Sequence, residues 1–123
     1  MFVADSVSMS HMVISLKNMA NLREVKTVVK IGNKKTTTSS LWGDWKGYQK
    51  RYGKVYPVKC TDTAYIPGLM VNIYSMTRAL TKGFNVMPEK VNIVLKKDTT
   101  NLKFEVLLDH GNGDGYLLDA RLY

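Results

Sequence analysis

Residues 41–60 read LWGDWKGYQKRYGKVYPVKC, and the fold class turns on whether this stretch is helix or strand. Trp42, Trp45, Tyr48, Tyr52 and Tyr56 recur close to a helical period, with Lys46, Lys50, Arg51 and Lys54 between them. Against a helix stand Gly43, Gly47 and Gly53, each costing about 1 kcal/mol in a helix interior relative to alanine. The aromatic residues also suit a pleated surface. The stretch is therefore predicted to be two strands or a mobile hairpin, with the glycines at turns.

Working outward, the flanks are strand-like too. VKTVVKI (25–31) is dominated by β-branched residues with lysines between them, and KTTTSSL (35–41) suits an exposed partner strand. The Gly32-Asn33 pair supplies a turn between them, giving a hairpin. Strands are also expected at 2–5, 54–60, 62–66, 84–87, 91–96, 102–108 and 116–123. Pro57 belongs at an edge or a bulge, because it has no N–H to give a ladder. Residues 12–23 (MVISLKNMANLR) carry apolar spacing that fits a short helix or an irregular segment. The clearest helix signal lies in PGLMVNIYSMTRALTKG (67–83), with the helix itself near residues 74–82. There Ile73, Met76 and Leu80 align on one face, Ser75 or Asn72 serves as N-cap, and Gly83 sits at C′. Many short strands with one helix predict an all-β domain, a small barrel or sandwich spanning residues 1–123 as one unit.

Bulk properties narrow the function classes. A chain of 123 residues matches one domain and is long enough to bury roughly two-thirds of its unfolded surface. Its 45% hydrophobic and 23% charged content is ordinary for a globular protein. No apolar run approaches the ~20 residues of a spanning helix, so no membrane partner is expected. The start, MFVADS, has no basic segment and does not read as a signal peptide. A lone cysteine, Cys60, excludes an internal disulfide, fits a reducing compartment, and reads as a small buried hydrophobe. Residues 23–59 hold ten basic residues against two acids, a surplus equal to the whole chain's net charge of +8. Such a segment attracts anionic partners, or simply faces water.

Three motifs bear on chemistry. The aromatic and basic run has the composition of a single-strand nucleic-acid platform, with Trp45, Lys46, Lys50, Arg51 and Lys54 as the contacts and residues 42–59 as the module. The competing reading, which we favour, is a hairpin with its rings on one face and its lysines in water. The turn DHGNGDG (109–115) places glycine where a calcium loop needs oxygen ligands, and lacks the Lys and Ser or Thr of a phosphate loop. It reads as a hairpin turn. His11 and His110 are far apart and make no metal signature, and no cofactor is expected. The third motif is FVADSVSMSHM (2–12), where Asp5 closes a short apolar run. A strand-end carboxylate can be a turn residue or a catalytic acid. Hydrolysis of a peptide by water needs one carboxylate to accept a proton and another to give one. This chain offers one strand-end Asp-Ser, so the second would come from an identical subunit across a two-fold axis.

At this point the chain resembles the retropepsin-like β-barrel region of copia-type LTR-retrotransposon Gag-Pol polyproteins. Val3-Ala4-Asp5-Ser6 and His11-Met12 stand in register with that family's Trp-hydrophobic-Ala-Asp-Ser-Gly-Ala-Ser/Thr-Ser/Cys-His-Met. AYIPGLMVNIYSMTRALTKGFNV (64–86) resembles its Leu-Tyr-Val-Pro-Gly-Leu segment and following helix. VVKIGNKK and GDGYLLDARLY resemble its hairpin and its C-terminal end, so the likeness covers almost the whole chain. The resemblance implies a small closed barrel and an aspartic endopeptidase. It implies a homodimer that cuts its own polyprotein in the cytoplasm, within virus-like particles. Asp5 would be the catalytic carboxylate and Ser6 its hydrogen-bonding brace. Leu41, Trp42, Gly43, Asp44 and Trp45 would form the flap over the substrate. The pattern departs at Val7-Ser8, where the family has Gly-Ala, and with four residues before Asp5 an upstream strand is expected to be missing. A β-branched residue forced into the glycine's conformation costs on the order of 1–3 kcal/mol. The expectation is thus a retained fold with weak or absent protease activity. The alternatives are the nucleic-acid module and an inactive polyprotein spacer.

Overall fold

The computed structural model describes residues 2–5, 8–31, 35–89, 92–97, 100–108 and 116–123. The strands are β1 (Phe2–Asp5), β2 (Met12–Val13), β3 (Met19–Ile31), β4 (Lys35–Arg51), β5 (Lys54–Tyr65), β6 (Asn72–Ser75), β7 (Asn85–Glu89), β8 (Asn92–Lys97), β9 (Thr100–Leu108) and β10 (Tyr116–Ala120). The helix among the described residues is α1 (Met76–Thr81), between β6 and β7. All ten strands join one sheet in the order β3-β4-β5-β2-β6-β1-β10-β9-β8-β7. The pairings are antiparallel except β1 with β6 and β2 with β5.

The all-β expectation holds; the closed barrel does not. The sheet curls, but its end strands β3 and β7 are not paired with each other. Neither edge offers a continuous ladder. Register shifts interrupt β3 between Ala20 and Arg23 and again between Glu24 and Thr27, and β7 contains Pro88, which has no N–H. The curl brings β4 and β5 over β8 and β9. Trp45 and Cys60 from the first pair meet Leu95, Leu102 and Phe104 from the second in the larger core cluster. Gln49 joins the two walls like a piece of backbone: its Nε2 donates to the Lys103 carbonyl (2.7 Å), and the Lys103 N–H donates to its Oε1 (2.9 Å). A smaller cluster, Met12, Val29, Ala64 and Ile66, fills the space under the other end.

The stretch 41–60 is two strands joined as a hairpin, as expected, but two of its three glycines are not at turns. Gly43 and Gly47 lie inside the single long strand β4, and only Gly53 is at a turn, with φ +77°. The two interior glycines answer to close approach. A Cβ on Gly43 would meet the Ala20 carbonyl at 2.7 Å; one on Gly47 would meet both the Trp45 ring and the Tyr123 carbonyl at 2.3 Å. Residues 54–65 likewise form one strand rather than two, and Pro57 lies where β5 has β4 on one side only. Residues 12–23 are not a helix: β2, a loop and the start of β3 occupy them. Helix α1 begins and ends as its caps require, with Ser75 Oγ accepting from the Arg78 N–H (3.1 Å) and Gly83 at φ +89° after the last turn. The Gly32-Asn33 and 109–115 turns, His110, Ser6 and Val7 lie outside the described residues.

Candidate functional site around Asp5

Asp5 is the last residue of β1, and its register partner on the neighbouring parallel strand is Ser75, the last residue of β6. Strand β6 runs between β1 and β2, so the segment joining β1 to β2 must pass across the end of β6. That crossing is fastened at several points. The Ser8 N–H donates to Asp5 Oδ1 (3.1 Å), which fixes one carboxylate oxygen. Ser75 Oγ donates to the Ser8 carbonyl (2.6 Å), and Ser8 Oγ to the Ser10 carbonyl (2.7 Å). The Ser75 N–H donates to His11 Nδ1 (2.9 Å). Ser75 thus uses its backbone on His11 and its hydroxyl on both Ser8 and the first turn of α1.

His11 is the residue the sequence reading undervalued. It is 4% exposed and packs its ring against Tyr74 (centroids 4.6 Å apart). Burial, aided by the nearby Arg78 and Lys82 charges, pushes its pKa down to about 3. The ring is therefore neutral at physiological pH, with its proton on Nε2 because Nδ1 accepts from Ser75. Its role in this arrangement is to hold the end of β6. Nothing local marks it, since its partner lies far along the chain. Asp5 itself is half-buried. One carboxylate can serve as acid or as base at a given moment, so the chemistry expected of an aspartic site needs a second, facing carboxylate. Among the described residues no three His, Cys, Asp or Glu side chains gather as a metal site requires. Cys60 is fully buried, and burial pushes its thiol up to about 12, which leaves it unreactive.

The expected flap residues do not form a hairpin tip. Leu41 to Trp45 run through the middle of β4, paired with β3 on one side, while Trp42, Gly43 and Trp45 also pair with β5 on the other. Asp44 ties two irregular points together, accepting from Asn21 Nδ2 (3.0 Å) and from the Asp62 N–H (3.3 Å). The Asn21 bond is the main cause that holds its pKa below the usual carboxylate value. The nucleic-acid set is also split. Trp45 is 5% exposed and edge-on to Phe2 (4.9 Å), so it has no face to offer a base. Arg51 is engaged by the Asn101 side chain (2.7 Å) and lies over Tyr56. Lys46, Lys50 and Lys54 remain exposed. No helix among the described residues is long and apolar enough to cross a membrane. Comparison with known proteins adds no identity: no protein-family model, no curated protein and no solved structure matches this chain.

Proposed function

We propose that this chain is a retropepsin-like domain of a copia-type Gag-Pol polyprotein, acting as a homodimer with weak or absent endopeptidase activity. The observation that carries the reading is Asp5 at the end of β1, with Oδ1 fixed by the Ser8 N–H beside a β6 terminus locked by His11 and Ser75. A strand-end carboxylate held by a backbone N–H is the half-site such an enzyme contributes from each subunit. The weakness follows from Val7, which stands where the family has glycine. The polyprotein peptide is the expected substrate, and the nucleic-acid alternative is left with fewer contacts once Trp45 and Arg51 are committed elsewhere.

The test is cleavage of a peptide from the chain's own polyprotein, compared with Asp5→Asn and with Val7→Gly/Ser8→Ala. Slow or no turnover is expected of the natural sequence, and faster turnover of the double variant, lost again when Asp5→Asn is added. Robust pepstatin-sensitive cleavage by the natural sequence, abolished by Asp5→Asn, refutes the weak-activity reading while keeping the family. A dimeric double variant with no gain in cleavage counts against Val7 as the fault.

A further inference from the structure

The hairpin of β4 and β5 turns on two residues, Tyr52 and Gly53, between the paired Arg51 and Lys54. Both have positive φ, +51° and +77°, as a type I′ turn requires. Such a turn favours Asn-Gly, because a bulky side chain at positive φ is strained. Tyr52 gains no packing in return: it is 95% exposed. A second feature of the same arm works against its own stability. Lys46 stands directly opposite Lys59, like charges on neighbouring strands. Exposed Lys50 and Lys54 follow toward the turn, and no acid occurs from Trp45 to Thr61. Asp44 senses Lys59 at the foot of the arm, and the chain-end carboxyl of Tyr123 lies beside Tyr48. Those positions are eight and four residues before Tyr52, about 26 and 13 Å along an extended strand, so neither carboxylate reaches the turn. Among the described residues the ion pairs are Arg23–Asp62 and Arg78–Asp62, and none of the arm's lysines takes part.

A strained, exposed ring and a self-repelling row of cations each destabilise the isolated chain. One kind of partner offsets both: a linear polyanion with flat faces to stack. Single-stranded nucleic acid has that chemistry, its phosphates neutralising the lysines while a base stacks on the ring. An anionic membrane would also neutralise the lysines. The turn offers it little apolar surface, though: one ring and Val55, with Arg51 and Lys54 on either side of the ring. We propose that the arm formed by β4 and β5 binds single-stranded nucleic acid, with a base on Tyr52 and the backbone along Lys54, Lys50 and the Lys46–Lys59 pair. The stacking ring is not Trp45, whose burial removes it from the set expected from the sequence. The surface is independent of the Asp5 chemistry and stands whether or not the chain cleaves peptides.

The probe is fluorescein-labelled oligothymidylate, titrated with the full chain and followed by anisotropy across a salt series. Saturable binding that weakens as salt rises is expected. Tyr52→Phe keeps the ring and is expected to bind as the natural chain does. Tyr52→Asn is the decisive variant. Asparagine suits positive φ, so the urea midpoint is expected to rise while affinity falls about tenfold, the scale of one stacked base. Lys50→Gln/Lys54→Gln is expected to lower the logarithmic salt slope by about 1.4, for two single-strand phosphate contacts. No binding near physiological ionic strength, unchanged affinity in Tyr52→Asn, or an unchanged slope in the lysine variant overturns the proposal. A lowered urea midpoint in Tyr52→Asn means that the ring serves the fold, and overturns it too. So does a chain that binds vesicles containing phosphatidylserine and leaves the oligonucleotide free.

Discussion

At the scale of single residues, His11 couples the candidate site to pH. Its folded pKa of about 3 lies below the value of 6.5 expected when it is exposed in the unfolded chain. Between those values the unfolded state binds a proton that the folded state refuses, so stability rises with pH. The contribution is complete above pH 6.5 and is eroded as pH falls toward 3, by as much as about 1.4 kcal/mol per pH unit. Urea unfolding at pH 5.0 and 6.5 is expected to show this slope in the natural chain and to lose it in His11→Gln; an unchanged slope removes the assignment. In that window most carboxylates are already ionised, and His110 is common to both proteins. Gly47 is the second test at this scale. Gly47→Ala pushes a methyl group into the Trp45 ring and the Tyr123 carbonyl, and is expected to cost about 1–3 kcal/mol as overpacking does. Equal urea midpoints for the two proteins disprove that fit. Neither role is legible in a sequence. A buried histidine and an exposed one are the same letter, and the partner that separates them, Ser75, is supplied by another strand.

At the scale of elements, legibility follows how local the cause is. Helix α1 was readable because its start and stop signals, Ser75 and Gly83, act within a few residues of the turns they finish. The strands around 25–31 and 35–41 were readable from β-branched content, and they do pair. Residues 12–23 misled because apolar spacing over so short a stretch fits several conformations; pairing of Met12 with Ala64 on β5 and Ile73 on β6 makes that end a strand. The interior glycines of β4 misled for a related reason: they are set by what crosses them, Ala20 and Tyr123, and not by their own φ. Gln49 is the sharpest case. Between Tyr48 and Lys50 it reads as a surface residue, yet it is 5% exposed and substitutes for a missing ladder between β4 and β9. Gln49→Ala leaves the N–H and C=O of half-buried Lys103 without that partner. It is expected to lower stability by about 1–3 kcal/mol and to speed exchange of the Lys103 amide. Gln49→Glu keeps the acceptor but sets a carboxylate oxygen against the Lys103 carbonyl in a buried position, and is expected to destabilise at least as much at neutral pH; a neutral Gln49→Ala refutes the surrogate-backbone role.

At the scale of the whole molecule, the sheet is open, and the aspartic chemistry proposed above needs a second carboxylate. The all-strand architecture was readable from turn and strand signals spread along the chain. Its failure to close was not, because closure is decided where the first and last strands of the sheet would meet, and β3 and β7 lie far apart in sequence. On the reading we propose, the facing carboxylate is the Asp5 of a second copy, and activity belongs to the dimer alone. Subunit mixing tests this with the more active Val7→Gly/Ser8→Ala background. A fixed amount of that protein is combined with a threefold excess of the same protein carrying Asp5→Asn, at concentrations where sedimentation shows dimers. Random pairing leaves about a quarter of the active subunits with an active mate, so cleavage is expected to fall to about a quarter of its starting rate. A rate untouched by the excess means that one subunit suffices, which no arrangement around a single Asp5 carboxylate can supply, and the catalytic reading of Asp5 fails with it.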